Sequence, residues 1–311
     1  MSIALLFAAG IAAALPAERP ITATGPLAPL AGTLSDAGRS RPVVLIIPGS
    51  GPTDRDGNSP LGVKAAPYRL LAHELAAQGI STVRIDKRGQ FGSKAAIPNG
   101  NQVKLEDYVA DTRNWIASIR RATGAKCVWL LGHSEGGLVA LAAAQQPKGI
   151  CGVITIAAVG RRIGTVLREQ LRANPANAPI LEAAFGAIAS LEAGRKVDSS
   201  TLPPPLQPLF GDDVQPFLID LLAEDPAGLA ASLKVPLLIV QGDRDIQVTI
   251  EDARALAAAQ PKATLVLLPG ANHVLKVPEG DDRVANLRAY ADPNLPLAQS
   301  VTDAVASYVK R

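Results

Sequence analysis

Short, wholly apolar runs alternate along the chain with longer stretches whose apolar residues recur at helical spacing. Val43-Val44-Leu45-Ile46-Ile47 is apolar at every position, the pattern of a strand covered on both faces, and it ends in Pro48-Gly49-Ser50-Gly51-Pro52. Residues 68–78 follow with helical spacing and stop at Gly79. Ser81–Ile85 is the next predicted strand, closed by Asp86-Lys87-Arg88-Gly89. A helix at 107–121, a strand at 127–131, a helix at 138–145 and a strand at 152–157 continue the series. After a break it resumes with a strand at 236–241, a helix at 250–260, a strand at 263–268 and a closing helix near 297–309. Upstream, 21–24 and 31–34 are β-prone pieces between Gly and Pro, which suits an opening hairpin. Strands alternating with helices predict an α/β fold, a mostly parallel central sheet with helices on both faces.

The break, residues 160–233, is helix-rich and interrupted by prolines, with Pro203-Pro204-Pro205 in its middle. It is predicted to be a helical insertion at the strand ends, which leaves 18–159 and 234–311 as the core. Residues 1–17 form a signal-like leader. Its apolar run, 3–15, is shorter than the roughly 20 residues that span a bilayer. Small residues surround a cleavage point after Ala14 or Ala17, although no basic residue precedes the run. A periplasmic or secreted protein is the expectation; the alternative is a cytoplasmic one whose first helix packs on the body. No second stretch approaches membrane length, so no stable membrane span is expected.

Composition narrows the classes of function. A chain of 311 residues with 48% hydrophobic positions can bury a sizeable core, and 27 Gly with 25 Pro stay below low-complexity levels. The formal charge is +3 with acids and bases interspersed, so no basic footprint marks a nucleic-acid partner. Two cysteines make neither a disulfide scaffold nor a C-x-x-C zinc site, and no metal is expected. Cys127 begins the predicted strand 127–131 and Cys151 precedes the adjacent predicted strand 152–157, close enough for a bond in an oxidising compartment. The other reading is two small apolar residues at the base of the sheet.

The chain has three histidines, and that scarcity constrains its chemistry. Gly132-His133-Ser134-Glu135-Gly136 matches G-x-S-x-G, placed between a predicted strand and a predicted helix as the motif requires. Ser134 is the candidate nucleophile and needs a base held by an acid. His73 falls mid-helix beside charged residues. His133 should point away from Ser134 and lend a supporting hydrogen bond. His273 lies in a loop after the last strand, where α/β sheets collect ligands, and is the candidate base. Gln241-Gly242-Asp243-Arg244-Asp245 supplies the acid: the turn through Gly242 should carry Asp245 back over the sheet edge and leave Asp243 as a turn residue. Two backbone N–H donors are expected for an oxyanion. Glu135 supplies one and Ser50 the other, with Gly51 in reserve. Residues 53–58 either form a solvated turn or help to shape the site.

These signals together resemble the α/β-hydrolase superfamily from about residue 30 onward, in particular bacterial esterase-like and serine-aminopeptidase-like hydrolases. The ordered motifs are 48–52, Asp86-Lys87-Arg88-Gly89-Gln90-Phe91-Gly92-Ser93, the serine elbow and the Asp245/His273 pair; Pro48 stands where a histidine is common. The resemblance implies hydrolysis of a small carboxylic ester through an acyl-enzyme, without cofactor. It also makes 160–233 a cap whose segments 181–191 and 217–219 would line an acyl or alcohol pocket. Alternatives on the same triad are a peptidase, using Glu182, Glu192 or Asp220 to hold an amine, a thioester hydrolase, or a hydrolase of carbon–carbon bonds. A non-catalytic binding protein is the alternative of a different class.

Overall fold

The computed structural model describes residues 17–311, so the leader, Ala17 apart, lies outside the described residues. Eight strands are described: β1 (Ala17–Ala23), β2 (Leu30–Asp36), β3 (Val43–Ile47), β4 (Ser81–Ile85), β5 (Val128–His133), β6 (Ile150–Ile156), β7 (Leu237–Gly242) and β8 (Thr264–Leu268). They form one sheet in the order β1-β2-β4-β3-β5-β6-β7-β8. The hairpin of β1 and β2 joins β4 antiparallel, and β4 through β8 run parallel. The apolar run of β3 is buried at all five positions because its alternating side chains enter two cores. Val43, Leu45 and Ile47 face one of them, Val44 and Ile46 the other.

Helices cover both faces. On the side of Val44 lie α1 (Pro67–Ala77), through Tyr68, Leu71 and Leu75, and the closing helix 299–309, through Val301 and Val305. On the side of Leu45 lie α2 (Leu105–Thr123), through Trp115 and Ile119, and α3 (Glu135–Ala143), through Leu138 and Leu141. The insertion contributes α4 (Ile163–Arg172), α5 (Leu181–Glu192), α6 (Gln215–Ala223) and α7 (Pro226–Ala231). Its apolar residues Ile188, Leu191, Leu218 and Leu222 belong to the same cluster as α2 and α3, and Phe217 meets Tyr108 edge to face. The segments expected to line a pocket are spent on packing. Next come α8 (Ile250–Ala259) and then α9 (Arg283–Ala291), which the sequence pattern did not predict. Its apolar Val284 and Leu287 point to solvent while Asn286 and Tyr290 are buried, so its hydrophobic pattern runs opposite to its buried face.

Cys127 and Cys151 are disulfide-bonded, with Cα atoms 5.2 Å apart, at the amino ends of β5 and β6. The bridge closes a loop of sequence separation 24. Ser134 follows the opposite end of the six-residue strand β5, about 20 Å away. Replacing both cysteines with alanine is therefore expected to lower unfolding stability by about 3 kcal/mol, read from urea titrations, with kcat/KM unchanged. Unchanged stability would show that the bridge constrains nothing.

Candidate active site

Ser134 sits between β5 and α3 with φ 54° and ψ −122°, a backbone conformation that L-residues rarely hold. Glycines make the turn possible. A Cβ at Gly132 would collide with the Gly136 carbonyl, and one at Gly136 with the Ile47 carbonyl. Ser134 N–H donates to the Ile156 carbonyl at 3.0 Å, fastening the turn to β6. The serine stays half-buried at the carboxyl end of the sheet, at the N-terminus of α3.

His273 lines the same cavity as Ser134 and pairs with Asp245: His273 Nδ1 lies 2.8 Å from Asp245 Oδ2, and the Asp245 side chain is fully buried. Every acceptor position of that carboxylate is used. Oδ1 accepts from the amides of Gln247 (2.8 Å) and Val248 (3.0 Å), and Oδ2 also accepts from Gln241 Nε2 (3.3 Å). Burial pushes the Asp245 carboxyl up, but the imidazole and these donors outweigh it and hold the group below the usual aspartate range. Asp243 does something else: its exposed Oδ1 accepts from Gly270 N–H at 2.7 Å, pinning the start of the His273 loop. From α9, Asn286 donates to the Arg244 carbonyl (2.7 Å) and accepts from Asn272 Nδ2 (3.3 Å), so one side chain ties both loops.

His133 borders the same cavity as Ser134, and both of its ring nitrogens are taken up in a directed chain of hydrogen bonds. Burial and the neighbouring His273 drop its pKa to about 3, so it is neutral. Its Nε2–H donates to the His273 carbonyl (2.8 Å), and its Nδ1 accepts from Tyr68 O–H (2.8 Å). Burial pushes the Tyr68 phenol up, which keeps its proton, and Tyr68 Oη accepts from Gly49 N–H at 3.2 Å. The chain links the loop after β3 to the loop that carries His273. His73 lies apart on α1, with Nε2 3.0 Å from Glu18 Oε1.

The Gly49–Ser50 segment is held at almost every polar atom. Besides Gly49 N–H, the Gly49 carbonyl accepts from Lys87 Nζ (2.7 Å) and the Ser50 carbonyl from Thr53 Oγ1 (2.9 Å). The Ser50 N–H has no acceptor among the described residues, and neither has the Glu135 N–H that opens α3. A Cβ on Gly49 would stand 3.2 Å from Ser134 Cβ, a tight contact that would push this loop and the serine slightly apart. Residues 53–58 are both turn and wall: Asp54 Oδ1 accepts from the amides of Asp56 and Asn58, Arg55 pairs with Asp86, and Thr53 and Gly57 line the cavity.

That cavity measures about 220 Å³ and contains Ser50, Ser134 and His273 in its wall. The remaining wall comes mostly from the loop after β3 and from Tyr68, with Gln247, Val274 and Tyr290 opposite. No residue of the helical insertion lines it, which corrects the expectation for 181–191 and 217–219. Glu182, Glu192 and Asp220 are also absent from the wall; Glu192 pairs with Arg168 at 2.7 Å, and Asp220 accepts from Leu105 N–H at 2.7 Å. Among the described residues no group of three or more His, Cys, Asp or Glu is arranged to hold a metal ion. Tyr68, Lys87, Gln247 and Tyr290 were not singled out from the sequence. Only Lys87 lay within a motif that had drawn notice.

A sequence profile of the alpha/beta hydrolase family matches residues 12–287, and the chain belongs to that family. Among its relatives is the esterase EstD of Thermotoga maritima, 27% identical over 242 residues. The match covers 77% of this chain and 56% of EstD, so the chain spans little more than half the length of that relative. Similar solved folds include the α/β hydrolase GrgF of a Penicillium species, with TM-score 0.62 and 20% identity, covering 95% of this chain and 98% of that one. An esterase of Pyrococcus furiosus has TM-score 0.59 and 17% identity, with 95% and 93% covered.

Proposed function

We propose that this protein is a serine esterase acting on small, uncharged carboxylic esters. Ser134 Oγ attacks the ester carbonyl carbon while His273 Nε2 takes the serine proton, and the tetrahedral intermediate collapses as His273 returns that proton to the departing alcohol. Water then gives a proton to His273 and adds to the acyl-enzyme, and the carboxylic acid leaves as Ser134 regains its proton. Asp245 keeps the Nδ1–H tautomer, so that Nε2 is the free base, and stabilises the imidazolium. The N–H groups of Ser50 and Glu135 receive the oxyanion, helped by the N-terminus of α3. The observation that carries this reading is the 2.8 Å contact between His273 and a fully buried Asp245, with the same imidazole facing the cavity that holds Ser134.

The cavity wall supports an ester over an aminopeptidase substrate. Holding a free α-amine calls for a carboxylate, and the wall carries none. Its volume of about 220 Å³ lies below that of drug-sized ligand sites, which supports short acyl and alcohol groups. Paired assays on p-nitrophenyl acetate and aminoacyl p-nitroanilides test the reading, with the ester expected to have the higher kcat/KM by about 10²-fold or more. The reverse order would make the protein a peptidase, and failure to react with a fluorophosphonate would make it a binding protein. The Cys127–Cys151 bridge supports work in the periplasm or outside the cell, where disulfides persist.

A further inference from the structure

We propose that Lys87 is a positioning residue for oxyanion stabilisation, acting through the Gly49–Ser50 peptide and the Glu135 side chain. The proposal rests on the esterase reading above. Lys87 follows β4 and is 6% exposed; its ammonium donates to the Gly49 carbonyl at 2.7 Å and to Glu135 Oε1 at 3.2 Å, with the Tyr108 ring centroid 5.4 Å away. The Gly49 carbonyl and the Ser50 N–H belong to one planar trans peptide and point in opposite directions. Holding that carbonyl on the Lys87 side therefore aims the Ser50 N–H away from it, in a residue that lines the cavity. A charge-assisted bond to the carbonyl also polarises the amide and leaves its N–H a stronger donor. Tyr68 on the Gly49 N–H and Thr53 on the Ser50 carbonyl stop the segment from rotating about this contact.

The same ammonium grips the side chain of Glu135, whose backbone N–H is the second donor. One cation thus ties together the two segments that must converge on a single oxygen. Neutralising Glu135 would by itself explain a buried lysine, and that is the competing role. The two separate when both charges are removed together, because Lys87→Met with Glu135→Gln leaves no orphaned buried charge and keeps the Glu135 backbone donor.

The test compares wild-type enzyme, Lys87→Met and the double variant on p-nitrophenyl acetate and with an alkylboronic acid. The boronic acid is trigonal in solution; Ser134 Oγ bonds to boron, the serine proton passes to His273, and the adduct is a tetrahedral anion. In both variants kcat is expected to fall about 10²-fold with KM unchanged, and boronate affinity to fall in parallel. Wild-type kcat and boronate affinity in a folded double variant would overturn the proposal and leave Lys87 as a counter-ion for Glu135. A rise in KM at constant kcat would overturn it too, since ground-state binding would then be what was lost. Absence of both ester hydrolysis and boronate binding in the wild-type enzyme would overturn the esterase reading itself, and the proposal with it.

Discussion

Ser134→Ala is expected to lower kcat on short esters by about 10⁴–10⁶, because nucleophile and base act as a unit and neither retains its role alone. The fold should survive the change. Ser134 Oγ has no hydrogen-bond partner among the described residues, and the turn is built by Gly132, Gly136 and the bond from Ser134 N–H to Ile156. Residual turnover above the uncatalysed rate would come from the Ser50 and Glu135 donors, which the substitution leaves in place. Steady-state rates on p-nitrophenyl acetate, with circular dichroism to verify folding, decide the matter. A variant keeping more than about a tenth of wild-type kcat would remove Ser134 from the reaction.

The second large effect separates two aspartates that stand two residues apart. Asp245→Asn is expected to cost about 10³–10⁴ in kcat. An asparagine can keep its oxygen on the amides of Gln247 and Val248, which places its NH2 where Oδ2 now meets His273. His273 Nδ1 must then accept, the ring proton moves to Nε2, and the atom that should take the serine proton no longer can. The same NH2 also faces Gln241 Nε2, a donor against a donor. Asp243→Asn should be nearly silent, because its amide oxygen still receives the Gly270 N–H. The opposite ranking of the two variants would move the acid to Asp243.

Burial pattern explains which parts of this architecture were legible before the structure. β3 is predicted at the residues where it occurs, since a strand covered on both faces shows as an unbroken apolar run, and β4 is predicted at its own residues although Ser81, Thr82 and Arg84 interrupt its apolar positions. The helix after the serine is different. Residues 132–137 read as a glycine-rich turn and the helix as starting at 138, yet α3 begins at Glu135 with Gly136 and Gly137 inside it. Glycine is a poor helix former, and here steric need overrides propensity, because any side chain at Gly136 meets the β3 backbone. α9 is hidden for the opposite reason, since its polar Asn286 faces inward to tie two loops while Val284 and Leu287 face out. Ser134, Asp245 and His273 lie at strand ends where chain order points to them. Tyr68 and Lys87 reach the site from distant segments through hydrogen bonds to Gly49, His133 and Glu135, and no local pattern marks such contacts.

Because the cavity is walled by the loop after β3 and not by the inserted helices, the proposed esterase would separate two properties that a protein engineer usually has to alter together. The loop residues that would meet a substrate and the inserted helices that complete the apolar interior are different stretches of chain. A library aimed at new substrate range belongs at Ser59, Leu61 and Val63, where Leu61 is 81% exposed and little of the core is at stake. Diversity placed between 160 and 233 would be screened mainly for whether the protein still folds.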